Sequence, residues 1–187
     1  MTRLKPGRAL AKNGISRFWG IDEGLIHFSV NEYGKPSVSN YPDIHFNISY
    51  SENYVVCAVS DSPIGIDIEA IRPRSMKIAE RFFTKNEYSY IVGIQPIDIQ
   101  QHKIRELYRF YEIWTKKESY LKLLGKGLSV PLSSFSVIDH QYESDVVFHK
   151  VSISNDIMCN ICFYKEFLGK ESNAHDNKKI LLYKATR

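Results

Sequence analysis

The stretch Pro63-Ile64-Gly65-Ile66-Asp67-Ile68-Glu69 decides the fold, because apolar residues alternate in it with Gly, Asp and Glu. This period of two predicts a half-buried strand whose buried face consists of isoleucine. Asp67 and Glu69 then project from the other face, about 6–7 Å apart. Neighbouring carboxylates repel each other unless a cation lies between them, and hard oxygen ligands favour Mg²⁺ held jointly with phosphate groups. A solvated strand face explains the same pattern and stays open as an alternative.

A second stretch, around Trp114-Thr115-Lys116-Lys117-Glu118-Ser119, has a helical period instead. The apolar positions share one stripe, which comprises Leu107, Phe110, Tyr111, Trp114, Leu121 and Leu124. Glu118 lies within that stripe. A carboxylate among core residues needs a cation, hydrogen bonds or a raised pKa, and all three are common at functional sites. The alternative is a pair with Lys122 one turn later, worth roughly a few tenths of a kcal/mol.

Composition restricts the classes of function. The 187 residues are 43% hydrophobic, which is enough for a sizeable core. The net charge of +4 and the isoelectric point near 8.8 favour an acidic partner, either a phosphate-bearing small molecule or an acidic protein. Lys and Arg are scattered through the sequence, so no nucleic-acid partner is expected. No run approaches about 18 apolar residues, so no membrane partner is expected either.

The three cysteines, Cys57, Cys159 and Cys162, cannot all pair with one another, which is typical of a reducing compartment. We therefore expect a cytoplasmic protein. Cys159 and Cys162 have C-x-x-C spacing, but they lie within an apolar, strand-like run and no second Cys or His pair matches them. Buried structural thiols are the better interpretation.

The periodicity and turn signals predict the following elements. A short helix is expected over 7–18, and a hairpin over 44–49 and 54–59. Thr84 and Glu87 form a capping-box pattern, so a helix is expected to begin at Lys85. Residues 94–103, which include Pro96, are expected to form a loop, followed by a long helix over 104–124 that ends at Gly125. Strands are expected over 135–137, 146–148 and 157–164.

This order predicts an α+β protein of two similar halves with pseudo-twofold symmetry and an active site in the seam between them. The N-terminal half is assigned to residues 1–70, the C-terminal half to 71–169 and a polar tail to 170–187. Within that tail, residues 180–183 either add a short strand or remain loose.

Four segments in this order resemble the Sfp-type 4′-phosphopantetheinyl transferases, over residues 3 to 164. They are Phe46-Asn47-Ile48-Ser49, the stretch from Pro63 to Glu69, Phe82-Phe83-Thr84-Lys85-Asn86-Glu87-Tyr88, and Trp114 to Ser119 continuing to Gly125-Lys126-Gly127-Leu128. The resemblance implies transfer of the 4′-phosphopantetheine arm of coenzyme A to a serine of an apo carrier protein, with Mg²⁺ as cofactor and release of adenosine 3′,5′-bisphosphate. It also implies the two-half fold.

The resemblance implies roles for particular residues. Asp67, Glu69 and Glu118 would hold the metal, Glu118 would also accept the serine proton, and Lys122 would neutralise a phosphate oxygen. The positions that would bind coenzyme A are Arg3, Gly34, Lys35, Pro36, Asn47, Ser49 and Tyr50, together with Asp67, Glu118 and Lys122.

The basic and apolar segment 72–83 would receive an acidic acyl or peptidyl carrier protein. A monomer is expected, with a place in antibiotic and nonribosomal peptide synthesis. The family usually has histidine where this chain has Tyr50, and the chain begins inside the family's N-terminal half, so that an exposed sheet edge is expected. The alternative function is therefore a catalytically impaired relative that only binds carrier protein or coenzyme A.

Overall fold

The structure is a computed structural model that describes residues 6–93, 98–138, 145–167 and 181–186, the last range as backbone only. Its regular elements, in chain order, are α1 (Pro6–Trp19), β1 (Phe28–Val30), β2 (Pro36–Val38), β3 (His45–Ser51), β4 (Tyr54–Ser60), β5 (Ile64–Ala70), α2 (Lys77–Phe82), α3 (Lys85–Val92), α4 (Ile99–Leu124), β6 (Val146–Lys150), β7 (Ile157–Tyr164) and β8 (Leu181–Thr186). Helices and strands are mixed along the chain, as the α+β prediction expects.

The strands form two antiparallel three-stranded sheets and one small hairpin. The first sheet has the order β3-β4-β8, the second has the order β5-β7-β6, and β1 pairs with β2. The predicted hairpin of β3 and β4 is confirmed. Of the two alternatives for residues 180–183, the structure has the strand over 181–183, because β8 pairs with β4 along its whole length; Ile180 lies outside the described residues.

The predicted isoleucine face of β5 is confirmed. Ile64, Ile66 and Ile68 are buried and pack against Val56 and Ala58 of β4. The opposite face of β5 is covered by α4, which also packs on β7. The acidic residues of β5 therefore lie beneath α4.

Gly65 allows α4 to approach β5 very closely. A Cβ atom at this position would lie 1.9 Å from the backbone oxygen of Ser119 and 2.6 Å from the backbone nitrogen of Leu123. Any side chain would push the helix away from the strand. The absence of a side chain at Gly65 thus allows α4 to hold Glu118 and Lys122 close to Asp67.

Side chains join the two sheets where β3 runs beside β5. Asn47 Oδ1 accepts from Ile66 N at 2.9 Å, Ser49 Oγ accepts from Ile68 N at 3.3 Å, and Ser51 Oγ accepts from Ala70 N at 2.9 Å. Three alternate residues of β3 thus accept hydrogen bonds from three alternate backbone amides of β5. We call this set of three residues, Asn47, Ser49 and Ser51, the β3 ladder.

The predicted start of α3 and the predicted end of α4 are both confirmed. Thr84 and Glu87 form both hydrogen bonds of the capping box at the start of α3. Gly125 ends α4 in the left-handed conformation, with φ of 67°. None of the helices in the described ranges is long and apolar enough to span a bilayer.

Two predicted elements are wrong. The loop over 94–103 is too long, because α4 begins at Ile99, where the Asp98 side chain accepts from Gln100 N and Gln101 N and caps the helix. Residues 135–137 form no strand. Phe135, Ser136 and Val137 are all buried, and backbone groups of this segment bond to side chains: Phe135 O accepts from Lys117 Nζ, and Val137 N donates to Glu87.

Candidate active site

Asp67 is the buried centre of the candidate site, with 4% of its surface exposed. Its Oδ1 accepts from Lys122 Nζ at 2.7 Å and from Ser49 Oγ at 2.9 Å. Burial raises the pKa of Asp67 above its ordinary range, and the contact with Lys122 offsets only part of that rise. The carboxylate is therefore held at a net electrostatic cost.

Lys122 bonds to Asp67 and Ser49 in this structure, at 2.7 Å each. The alternative prediction, a pair of Lys122 with Glu118 along the helix, is not what the described contacts show. Lys122 reaches across from α4 to β5 instead, because Gly65 brings the two elements together. The role proposed for it toward a phosphate oxygen remains a prediction.

Glu69 lies two residues beyond Asp67 and is half-buried. Burial raises the pKa of Glu69, and the charge of Asp67 raises it further. The Arg74 guanidinium and a hydrogen bond from the Trp114 side chain act in the opposite direction. Ser51 Oγ also donates to Glu69 Oε2, at 3.4 Å.

Glu118 lies on α4, one turn before Lys122. It is half-buried, like Trp114 of the predicted stripe, and it lines a cleft, whereas the adjacent Lys117 and Ser119 are fully buried. Burial raises the pKa of Glu118, the charges of Asp67 and Glu69 raise it further, and Lys122 lowers it. A carboxylate with a raised pKa, facing a cleft, is suited to accept a proton.

The three predicted carboxylates are thus electrostatic neighbours, since Asp67 raises the pKa of Glu69 and both of them raise the pKa of Glu118. Among the described side chains, however, no group of three or more His, Cys, Asp or Glu residues is arranged to hold a metal ion. One observation nevertheless fits a cation. Asp67 Oδ2 is buried and accepts no hydrogen bond from the part of the chain that the structure describes. Hard carboxylate oxygens of this kind are the ligands that Mg²⁺ prefers.

The cleft beside these residues has a volume of about 260 Å³. It is formed by the β1–β2 hairpin, β3 and the end of α4, and its lining residues are Tyr33, Gly34, Lys35, Pro36, Asn47, Ile48, Glu118, Leu121, Lys122, Gly125 and Gly127. Six residues predicted to bind coenzyme A or to catalyse its reaction meet here: Gly34, Lys35, Pro36, Asn47, Glu118 and Lys122.

The β1–β2 hairpin is attached to the carboxyl end of α4. Lys35 Nζ donates to Leu123 O at 3.0 Å, and Asn31 Nδ2 donates to Gly125 O at 2.9 Å. Burial lowers the pKa of Lys35 to about 8. A cation and an amide at a helix carboxyl end satisfy its free carbonyl groups. The hairpin and the helix therefore form the cleft as one unit.

Asn47 and Ser49, which were predicted to bind coenzyme A, have a structural use that the sequence analysis did not anticipate. Both are buried and belong to the β3 ladder, and Ser49 also holds Asp67 and Lys122. Ser51, the third member, was missed altogether. The signal was available in the polar residues that alternate along 47–51 beside an acidic strand.

Two further predicted residues lie away from Asp67 or outside the described ranges. The Tyr50 hydroxyl accepts from Gly7 N at 3.1 Å, at the start of α1, while the side chain is 43% exposed. Arg3 lies outside the described residues, as does most of the predicted tail over 170–187.

The cysteines match the prediction of structural thiols. All three are free and buried. Burial raises the pKa of Cys57 and of Cys159 to about 12 in each case and raises that of Cys162 as well, which makes these thiols poor nucleophiles.

Comparison with known proteins gives a consistent result. Residues 63–171, more than half of the chain, match the family profile of the 4′-phosphopantetheinyl transferase superfamily. The 4′-phosphopantetheinyl transferase Sfp of Bacillus subtilis (strain 168) is 47% identical over 135 residues, which is 72% of this chain and 57% of that protein.

Other organisms supply further relatives. The 4′-phosphopantetheinyl transferase gsp of Aneurinibacillus migulanus is 42% identical over 74% of this chain and 54% of its own length. The 4′-phosphopantetheinyl transferase HetI of a Nostoc strain is 34% identical over 68% of this chain and 53% of its own length. The chain thus spans little more than half the length of these relatives.

Proposed function

The chain belongs to the 4′-phosphopantetheinyl transferase superfamily, and from this premise we propose that it transfers the 4′-phosphopantetheine arm of coenzyme A to a serine of an apo acyl or peptidyl carrier protein. One observation carries the proposal. Asp67, Glu69, Glu118 and Lys122 come together from β5 and α4 beside a cleft that also contains Gly34, Lys35 and Pro36.

Mg²⁺ is the proposed cofactor, and the residues that would hold it are Asp67, Glu69 and Glu118. When bound, the ion would neutralise the negative charge of the coenzyme A diphosphate. The raised pKa values of these three carboxyl groups support the assignment. A bound cation would offset the cost of keeping charged carboxylates buried and close together.

The protein's own groups have distinct proposed tasks in the reaction. Glu118 accepts the proton of the carrier serine as the serine oxygen forms its bond to phosphorus. The bond from that phosphorus to the bridging oxygen breaks, and adenosine 3′,5′-bisphosphate leaves with the electron pair. Lys122 places a positive charge at the reacting phosphates and thereby stabilises the charge that develops there.

The carrier protein is proposed to dock on the segment from Arg72 to Phe83. Arg81 lies over the Phe82 ring, at 5.2 Å from its centroid, and Phe82 is 43% exposed. An exposed aromatic ring flanked by basic side chains suits an acidic partner with an apolar patch. The neighbouring Arg74 lies over the Trp114 ring, which contacts Glu69, so this surface adjoins the proposed metal ligands.

Several broader statements belong to the same proposal: two similar halves, 1–70 and 71–169, with the site in their seam; a monomer in the cytoplasm; and a role in nonribosomal peptide or antibiotic synthesis. The carboxylates support the location of the site, because Asp67 and Glu69 belong to residues 1–70 and Glu118, whose pKa both of them raise, belongs to residues 71–169.

The test is a transfer assay with the purified chain, coenzyme A, Mg²⁺ and an apo carrier domain, read by intact mass. The carrier should gain one phosphopantetheine. Glu118→Gln and Asp67→Asn should each lower the rate by about 100-fold or more, since each removes a charged group that acts on the reacting centre. Glu106→Gln is the matched control, because Glu106 lies on the same helix and pairs with His102.

Two results would contradict the proposal. Unmodified carrier in the presence of coenzyme A and Mg²⁺, with retained binding of either partner, would favour the binding-only alternative. The observation that favours the binding-only alternative concerns Tyr50. This residue stands where the family usually has histidine, and its hydroxyl contacts Gly7. A transfer rate that Glu118→Gln leaves unchanged would remove Glu118 as the base.

A further inference from the structure

A buried amide lies beside Asp67 and has no role in the function described so far. Asn160 is on β7 and is 1% exposed, within a run of buried apolar residues. In the antiparallel register, Asn160 is the direct partner of Asp67 on β5. Residues opposed in this way carry their side chains on the same face, with Cβ atoms about 4.5–5.5 Å apart. Asn160 is thus the closest cross-strand neighbour of the buried carboxylate.

The orientation of the Asn160 amide follows from its hydrogen bonds. Thr115 Oγ1 donates its proton to Tyr111 O at 2.7 Å, so toward Asn160 it can only accept. The atom that faces it must be Nδ2, which donates at 2.7 Å. Asn160 Oδ1 is consequently the free end of the amide. It is buried and has no hydrogen-bond partner among the described residues.

Two buried oxygens that have no hydrogen-bond partner within the described ranges, Asp67 Oδ2 and Asn160 Oδ1, therefore belong to directly paired residues of β5 and β7. An ionised carboxylate and an amide oxygen only accept hydrogen bonds, so they cannot satisfy each other. A buried oxygen that has lost its hydrogen bonds to water and gained none in the protein destabilises the folded state. A hydrated cation supplies what both lack, because its charge attracts the carboxylate and its water protons bond to the amide oxygen.

We propose that Asn160 is a member of the divalent-cation site, in which its Oδ1 accepts a hydrogen bond from the hydration shell of the ion that Asp67 binds. The inference rests on the proposed function, from which it takes the cation. It adds a neutral residue from a third element, β7, to a site formed by β5 and α4. Thr115 is the support that fixes the amide in the required orientation.

The experiment measures Mn²⁺ binding to the full chain by the electron paramagnetic resonance signal of free Mn²⁺, with and without coenzyme A. Asn160→Leu removes the oxygen and should weaken Mn²⁺ binding by about 10- to 100-fold, the effect typical of groups that bond to metal-bound ligands. Asn160→Asp keeps an oxygen at the position and should bind Mn²⁺ at least as tightly as the unaltered chain. Asn160→Val, a smaller residue well suited to a strand, repeats the test if the leucine variant does not fold.

Cys162→Ala is the matched control, because Cys162 is buried on the same strand and the same face but has no oxygen. It should leave Mn²⁺ affinity unchanged. Unaltered affinity in Asn160→Leu or Asn160→Val would overturn the inference, and so would equal weakening in Asn160→Asp.

Asp67→Asn separates this inference from the function on which it rests. If Asp67→Asn loses Mn²⁺ while Asn160→Leu retains it, only the role of Asn160 fails. If the unaltered chain binds no Mn²⁺ in either condition, or if Asp67→Asn binds it as well as the unaltered chain, the cation site itself fails.

Discussion

At the scale of single residues, the candidate site is a concentration of negative charge that the folded chain balances incompletely. Burial raises the pKa of Asp67, Glu69 and Glu118, and Lys122 and Arg74 offset only part of it. Such groups bind protons more tightly in the folded chain than in the unfolded chain. The free energy of unfolding must then depend on pH in a particular direction.

In the absence of divalent cations, the contribution of these carboxyl groups to stability should be present in full below about pH 4. It should be lost as the pH rises through their raised pKa values, because the folded state then loses protons that the unfolded state has already released. Urea unfolding at pH 5 and pH 8, with a chelator, measures this. Asp67→Asn should lose less stability than the unaltered chain over that interval.

Mg²⁺ at pH 8 should restore part of the stability of the unaltered chain and little of that of Asp67→Asn. Parallel stability curves for the two proteins would show that the cluster does not couple to pH.

Sequence alone identified the acidic residues but not how they are held. The two periods, two along 63–69 and helical along 107–124, pointed to Asp67, Glu69 and Glu118. The contact of Lys122 with Asp67 joins residues 55 positions apart, and it depends on the close approach at Gly65. Local patterns carry no information about such a contact, so the pairing of Lys122 with Glu118 was the simpler expectation.

At the scale of elements, a buried ion pair connects α3, α4 and the segment after α4. Lys117 and Glu87 are 2.8 Å apart, and the side chains of both are fully buried. Lys117 Nζ also donates to Leu132 O at 2.7 Å and to Phe135 O at 2.5 Å. Glu87 accepts from Thr84 N and Val137 N. The pair therefore satisfies backbone groups that a partner strand would otherwise satisfy.

Lys117→Met should lower the free energy of unfolding by about 3–5 kcal/mol, because it leaves the Glu87 carboxylate buried without its cation. Adding Glu87→Gln should recover part of the loss, since the remaining charge is then removed. Chemical unfolding of both single variants and the double variant measures the coupling. Lys116→Met, which breaks the half-exposed pair with Glu112 on the same helix, should cost only about 0.5 kcal/mol.

A loss of similar size in Lys117→Met and Lys116→Met would mean that the buried pair does not hold these elements together.

Elements that depend on local sequence patterns could be predicted, whereas those that depend on distant contacts, such as the contacts of Lys117 and Glu87, could not. The start of α3 was predictable because the capping box is a local pattern within residues 84–87. The segment 135–137 has the alternating apolar and polar sequence of a strand, and only the distant side chains of Lys117 and Glu87 show why it is not one. The start of α4 was missed because Pro96 suggested a loop, although Asp98 is a good capping residue.

At the scale of the whole molecule, the site depends on how closely the long helix lies on the second sheet. Gly65→Ala should destabilise the chain by about 1–3 kcal/mol, because the new methyl group would meet backbone atoms of Ser119 and Leu123. It should also lower transfer activity, since the helix that carries Glu118 and Lys122 must move away from Asp67. Thermal unfolding and the transfer assay measure the two effects.

Gly24→Ala is the control for Gly65→Ala, because a methyl group there would meet one side-chain oxygen, Asp22 Oδ1 at 2.9 Å, and no backbone atom. Its effect should stay within about 0.5 kcal/mol. Equal stability of Gly65→Ala and the unaltered chain would show that the helix has room to shift without loss.

The β3 ladder has a consequence for the behaviour of the protein in concentrated solution. A strand at the border of a sheet offers free amide groups, and foreign chains can dock there to begin aggregates. On β5 those amides, at Ile66, Ile68 and Ala70, are already engaged by an asparagine and two serines from the neighbouring sheet. A strand from another molecule would first have to displace these side chains, so β5 is protected against edge-to-edge aggregation.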